Sequence, residues 1–137
     1  MKGARQMIRQ ILDDTMQLHG WQVPRGVLDY ETDVLTGKID QPRWQPEPSL
    51  AEQYLTVRTS NEAQALADTC WFACAVFPEY TLRKGVSRSY YIQIGQTCYD
   101  RSRQTETVQI MRDHFEFLAE TVYTAIRHCG DFRSMWR

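Results

Sequence analysis

The 137-residue chain has no excess of charge of either sign: 16 Lys and Arg stand against 17 Asp and Glu, for a formal net charge of −1. Such a balance creates no overall field to gather nucleic acid or an acidic membrane surface. Long apolar runs are missing too. The longest, Cys70 to Phe77, is far short of the roughly 18–20 residues that a membrane-spanning helix takes. The seven glycines are scattered, and neither Walker nor dinucleotide spacing occurs, which excludes the common phosphate-cradling loops. There is no Cys-x2-Cys knuckle of the kind that holds structural zinc. Nor is there a Glu-x-x-His pair, which a carboxylate-bridged metal site in a helical bundle would want. The opening residues, Met1-Lys2-Gly3-Ala4-Arg5, lead into an amphipathic pattern without the apolar stretch of a secretory signal. The expectation is a cytoplasmic protein with no membrane partner, whose four cysteines stay reduced.

What is present is ordinary globular composition, with 42% hydrophobic and 24% charged residues, and a rich aromatic share of 12%. That length suits one domain with one core. Ala4, Ile8, Ile11, Thr15 and Leu18 recur at steps of three and four, with Met7 and Leu12 beside them, so a first helix is expected up to Gly20. Val27 to Gly37 fits a short helix that Gly37 ends, or a hairpin around Thr36-Gly37-Lys38. A Pro-rich connector at about 38–48 follows. Ser49 then reads as an N-cap for Leu50, Tyr54 and Val57. Thr59-Ser60-Asn61 before Glu62 starts a helix carrying Ala63, Leu66, Cys70, Ala73 and Phe77, which Pro78 breaks. Being apolar nearly all round, it is expected to be the central one. Val86 to Arg103 alternates like a strand at Tyr90, Ile92 and Ile94. As a helix capped by Ser87 it makes a longer continuous pattern, which is preferred. Val108, Met111, Phe115, Leu118, Val122, Ala125 and Cys129 keep a heptad spacing up to Gly130, before a tail at 131–137. The fold class is therefore all-α: one domain, 1–137, in a bundle of five to six helices.

Leu66-x-Asp68, Phe77-Pro78-Glu79, and then Tyr90-Tyr91-Ile92-x-x-Gly95-x-x-x-Tyr99 resemble a group of small uncharacterised bacterial helical proteins. Those pair an L-x-D…F-P-E helix with a Y-Y-I-x-x-G-x-x-x-Y helix. The resemblance spans about 35 residues, supports the helical reading of Val86 to Arg103, and implies no activity.

Nothing in the chain forms a catalytic signature, so the reading leans away from an enzyme without excluding one, and no metal or other cofactor is expected. Cys70 and Cys74 lie one helical turn apart, with Cys98, His128 and Cys129 as possible companions, but burial as small hydrophobes is the preferred reading. Cys129 follows His128 directly, yet successive helical residues point about 100° apart, so the two make no dyad. The first expectation is a helical protein-interaction or accessory module, acting on a protein partner or by self-association. Its anchors would be Arg43, Trp44, Phe132, Arg133 and Trp136, since Trp and Arg favour binding surfaces, the equal alternative being that these side chains fold back onto the bundle. The alternative is a small-ligand-binding protein or enzyme with a pocket between the central helices, where Asp68, Tyr91, Tyr99, Asp100 and His114 are the polar groups to test. Third comes a nucleic-acid accessory role on a local basic face of Arg83, Lys84, Arg88, Arg101 and Arg103, not favoured by the neutral net charge.

Overall fold

The computed structural model describes residues 2–39, 50–83, 87–128 and 132–136, the side chains of Lys2, Tyr80, Leu82 and Arg83 excepted. Every regular element among these residues is helical, with no strand: α1 (Lys2–His19), α2 (Arg25–Ile39), α3 (Leu50–Thr56), α4 (Ser60–Val76), α5 (Pro78–Arg83), α6 (Arg88–Asp100), α7 (Glu106–Asp113), α8 (Phe115–His128) and a 3-10 turn, Phe132–Trp136. The Ser49 cap and most of the Pro-rich connector lie outside the described residues.

α1 and α2 form an antiparallel pair. Gly20 ends α1 in the left-handed region at φ 67°, which costs a glycine nothing. The register is pinned on the outside by Arg9 with Asp29 and by Arg5 with Asp33 at 2.8 Å. The buried stripe of α1 runs through Ala4, Ile8, Leu12, Thr15 and Met16. Leu18, expected on that stripe, is instead 63% exposed. α2 does not stop at Gly37 but continues to Ile39. A mid-helix glycine costs about 1 kcal/mol, which is offset by the packing of Ile39 against the core and the Lys38–Thr69 hydrogen bond beyond it.

α4 is the central helix. Thr59 and Glu62 form a capping box, with Glu62 N–H donating to Thr59 Oγ1 at 3.1 Å and Thr59 N–H to the Glu62 carboxylate at 3.0 Å. Each therefore satisfies a backbone donor that the first turn leaves free. From Ala63 to Val76 nearly every residue is buried except Gln64, Ala65, Asp68 and Thr69. α4 packs against α6 on one side and α8 on the other. α6, capped by Ser87 Oγ accepting from Tyr90 N–H at 3.2 Å, is the helix that the longer pattern predicts over Val86 to Arg103. Its buried face is Tyr91, Ile94, Gly95, Cys98 and Tyr99.

The bundle has more segments than the five to six expected, for two reasons. Pro78 ends α4 and also begins α5, because proline is well suited to a first helical turn. The long C-terminal heptad is broken at His114, whose backbone is at φ −118° and ψ 28°. The hydrogen-bond ladder survives there, since His114 N–H reaches Ile110 O and Leu118 N–H reaches His114 O, both at 2.9 Å. The change of direction lets α7 pack on α6 and α2 while α8 packs on α4 and α1.

Candidate functional site

Where α2, α4 and α6 meet, four polar side chains converge: Tyr30, Gln64, Asp68 and Tyr99. Gln64 and Asp68 stand four residues apart on α4 and so share a face. Asp68 Oδ1 accepts from Tyr30 Oη of α2 at 2.6 Å and from Tyr99 Oη of α6 at 2.8 Å. Gln64 Nε2 donates to Tyr30 Oη at 2.9 Å. Lys38, a turn or two along α2, donates to Thr69 Oγ1 at 2.8 Å and lies 6.0 Å from the Phe72 ring centre.

Burial sets the electrostatics. It pushes the Asp68 carboxyl up to about 6, while the two tyrosine hydroxyls and Lys38 pull the other way. Tyr30 and Tyr99 are both held above the usual phenol range, first by burial and then by the Asp68 charge. Lys38 is lowered by burial, against the pull of Asp68. The tyrosines therefore stay protonated donors, and Asp68 is the group that changes charge near neutral pH.

Tyr30 and Gln64 also line an open groove of about 520 Å³ between α2, α4 and the start of α7. Its lining includes Asp29 and Asp33 of α2. The segment leading into α7 and its first turn contribute Arg103, Thr105 and Thr107 to the same lining. Arg103 makes no ion pair among the described residues, whereas Asp29 and Asp33 are partnered by Arg9 and Arg5.

Of the polar groups expected to line a pocket, only Asp68 and Tyr99 meet. Tyr91 is buried on the core face of α6. Asp100 is exposed and paired with Arg112 at 2.8 Å. His114 lines a different groove, with Val23, Pro24 and Phe117. Tyr30, Gln64 and Lys38 were not among the expected residues. The four-residue step from Gln64 to Asp68 was a signal available in the sequence, but Tyr30 is indistinguishable there from an ordinary stripe aromatic.

The expected anchors behave differently from a surface. Trp136 is 3% exposed and donates Nε1–H to Leu35 O at 2.8 Å, and Phe132 packs onto the core. Arg133 is held by Glu79 at 2.5 Å. Arg43 and Trp44 lie outside the described residues. The basic residues do not gather on one face. Arg88 stands in the first turn of α6 and Arg101 and Arg103 follow its last, so the 13-residue helix separates them by roughly 20 Å. Lys84 and the Arg83 side chain are outside the described residues. Cys70, Cys74 and Cys98 are buried free thiols. Burial raises the pKa of each, that of Cys74 up to about 12, which leaves little thiolate to act as nucleophile or ligand. Cys129 is outside the described residues.

No helix among the described residues is long and apolar enough to cross a membrane. Comparison with protein-family models, with curated proteins and with solved structures gives no match to this chain.

Proposed function

We propose that the chain is a small helical binding protein that holds a small zwitterionic molecule, of the amino-acid kind, in the groove beside Tyr30. The observation that carries this reading is the mixed lining of the groove, where Asp29, Asp33 and Tyr30 of α2 share one hollow with Arg103, Thr105 and Thr107. The groove volume is in the range typical of small-molecule sites, roughly 300–1,000 Å³. Asp68 serves to orient. While it is ionised, the Tyr30 O–H is donated inward to it, and the hydroxyl oxygen, which already accepts from Gln64, has one further lone pair for an ammonium or amide donor. Arg103 takes the anionic end in charge-assisted hydrogen bonds.

The test is a thermal-shift and calorimetric screen of the free proteinogenic amino acids. At least one is expected to bind, with Arg103→Ala and Tyr30→Phe each weakening it about tenfold, the loss of a polar contact of roughly 1.4 kcal/mol. Ligand binds the Asp68-ionised form. Affinity is therefore held above about pH 6 and falls about tenfold from pH 7 to pH 5 as the carboxylate takes a proton. A pH-independent affinity would remove Asp68 from this role, and an unaffected Arg103→Ala would remove the groove.

A second reading, protein interaction or self-association, is favoured by a separate surface cluster. His19 stacks on Trp21 with ring centres 4.3 Å apart, Trp21 meets Phe117 edge-on at 6.1 Å, and His19 meets His128 at 5.9 Å. Leu18 beside them is 63% exposed and Phe117 44%. Aromatic residues with exposed aliphatics are the usual content of an interface core. If this face joins two copies, the wild type sediments as a dimer in analytical ultracentrifugation and the Leu18→Ser/Phe117→Ser variant as a monomer. A wild type that stays monomeric at high concentration rules out self-association through this face.

A further inference from the structure

A second groove, of about 400 Å³, lies at the other end of the bundle, and three of its lining residues are arginines. Arg88 comes from α6, Arg127 from the last turn of α8 and Arg133 from the C-terminal 3-10 turn, so three separate elements each put an arginine on this lining. Only one carboxylate, Glu79, is on the same lining, together with the apolar faces of Pro78 and Tyr123. Guanidinium groups repel one another, so three of them around one hollow need a reason.

The partial neutralisation leaves capacity over. Arg88 gives one Nη1 contact, at 2.8 Å, to Glu116, which is outside the lining. A guanidinium has five N–H donors in a planar fork, so most of those on Arg88 remain. Arg127 makes no hydrogen bond or ion pair among the described residues. Its guanidinium carbon sits 4.4 Å from the Tyr123 ring centre, a stacking that fixes the plane of the group while leaving its edges open. Arg133 is anchored by Glu79 and is mostly buried, its side chain 13% exposed. A partly buried cation is screened less by salt than one in open solvent.

We propose that this groove is an anion site for the phosphate group of a small molecule whose aromatic or apolar body lies against Tyr123 and Pro78. Phosphate matches the donors better than a carboxylate does. Its three terminal oxygens can meet three guanidiniums arriving from different directions, whereas a carboxylate is satisfied by one planar fork. The apolar floor asks for more than bare phosphate.

The experiment is calorimetric titration at constant ionic strength with three probes: phenyl phosphate, inorganic phosphate and benzoate. Phenyl phosphate is expected to bind, at least fivefold more tightly than either of the others. Arg127→Ala is the chosen variant because, among the described residues, Arg127 makes no hydrogen bond or ion pair and stacks only on Tyr123, so the unfolding midpoint is expected to be kept. It should weaken phenyl phosphate at least tenfold. Arg112→Ala, whose cation is tied to Asp100 and Asp113 away from the groove, and Tyr30→Phe should leave it within twofold. Equal loss in Arg112→Ala would mean a diffuse charge effect and overturn the site. Benzoate binding as tightly as phenyl phosphate would overturn the phosphate assignment. No saturable phenyl phosphate binding by 10 mM, roughly the weakest affinity worth calling a site at about −3 kcal/mol, would overturn both.

Discussion

Glu31→Met is expected to raise the unfolding free energy at pH 7 by about 1–3 kcal/mol, the cost of an unmade buried hydrogen-bonding group. Glu31 is 1% exposed on the inner face of α2, and neither carboxyl oxygen has a hydrogen-bond partner among the described residues. Burial pushes its pKa well above the ordinary carboxylate range. The one charge that opposes this is Arg9, whose guanidinium is already engaged by Asp13 and Asp29. Methionine is similar in length, carries no polar oxygen, and adapts to irregular space. For a chain of this size the gain corresponds to roughly 3–10 °C in midpoint.

The sign of the pH dependence separates this from simple repacking. A carboxyl whose folded pKa is raised keeps its proton in the folded state after the unfolded chain has lost it. The unfolded state then gains from ionising and the folded state does not, so the contribution is most favourable below the unfolded value, about 4.3. It is lost progressively as pH rises from there towards the folded value. Asp68 acts in the same sense but only up to about pH 6. The difference between Glu31→Met and wild type should therefore be larger at pH 8 than at pH 4.5, measured by urea unfolding at each pH. An equal gain at both would show that the proton has no part in it, and a loss of stability would mean that the acid has a buried partner.

Glu31 also illustrates what periodicity can and cannot report. The stripe Val27, Tyr30/Glu31, Val34 and Leu35 correctly announces a helix with a buried side. It says nothing of the fact that two members of that stripe are the groups with the most unusual chemistry in the bundle. Tyr30 turns into the polar junction with Asp68 and Tyr99, and Glu31 turns into hydrocarbon. The difference is a rotation of about 100° about the helix axis, decided by which neighbour each position faces. Asp68 and Tyr99 stand in the sequence as two of five polar groups, and no local signal sets the pair apart from Tyr91, Asp100 and His114. Their third partner, from α2, was a matter of tertiary packing.

The elements were readable where a local signal and the packing agree. Thr59 with Glu62, Ser87, Gly20 and Pro78 each mark a boundary by backbone chemistry that needs no partner. Gly37 and His114 are the opposite cases. At Gly37 the preference to stop is small, and the contacts of Lys38 and Ile39 beyond it override it. At His114 the heptad continues in the sequence, yet one straight rod cannot serve two sets of neighbours. For Trp136 the residue type allows either a surface anchor or a fold back onto the bundle, and the structure takes the second, with the indole N–H on the Leu35 carbonyl and the ring against Phe72.

Gly95→Ala is expected to destabilise the protein by about 1–3 kcal/mol, the usual range for overpacking a core, even though alanine is better in a helix by about 1 kcal/mol. A Cβ on residue 95 would lie 2.6 Å from Phe115 Cζ, closer still to Cε2, and 3.2 Å from Cys70 Cβ. Phe115 is fully buried and stands 6.0 Å, ring to ring, from Tyr99. Its ring cannot retreat without disturbing the hydroxyl that Asp68 accepts from. The close approach of α6 to α4 and the polar junction at Tyr99 thus depend on the same missing methyl. This coupling makes the prediction specific. Phe115→Leu alone should cost about 1–2 kcal/mol through the space it leaves. The Gly95→Ala/Phe115→Leu pair should then be more stable than the sum of the single losses by at least about 1 kcal/mol, because the new methyl occupies part of that space. Strict additivity in urea unfolding would place the strain elsewhere and detach Gly95 from the Asp68 junction. A rescue that also restores the pH-dependent affinity of the Tyr30 groove would tie the packing of α4 on α6 to the site itself.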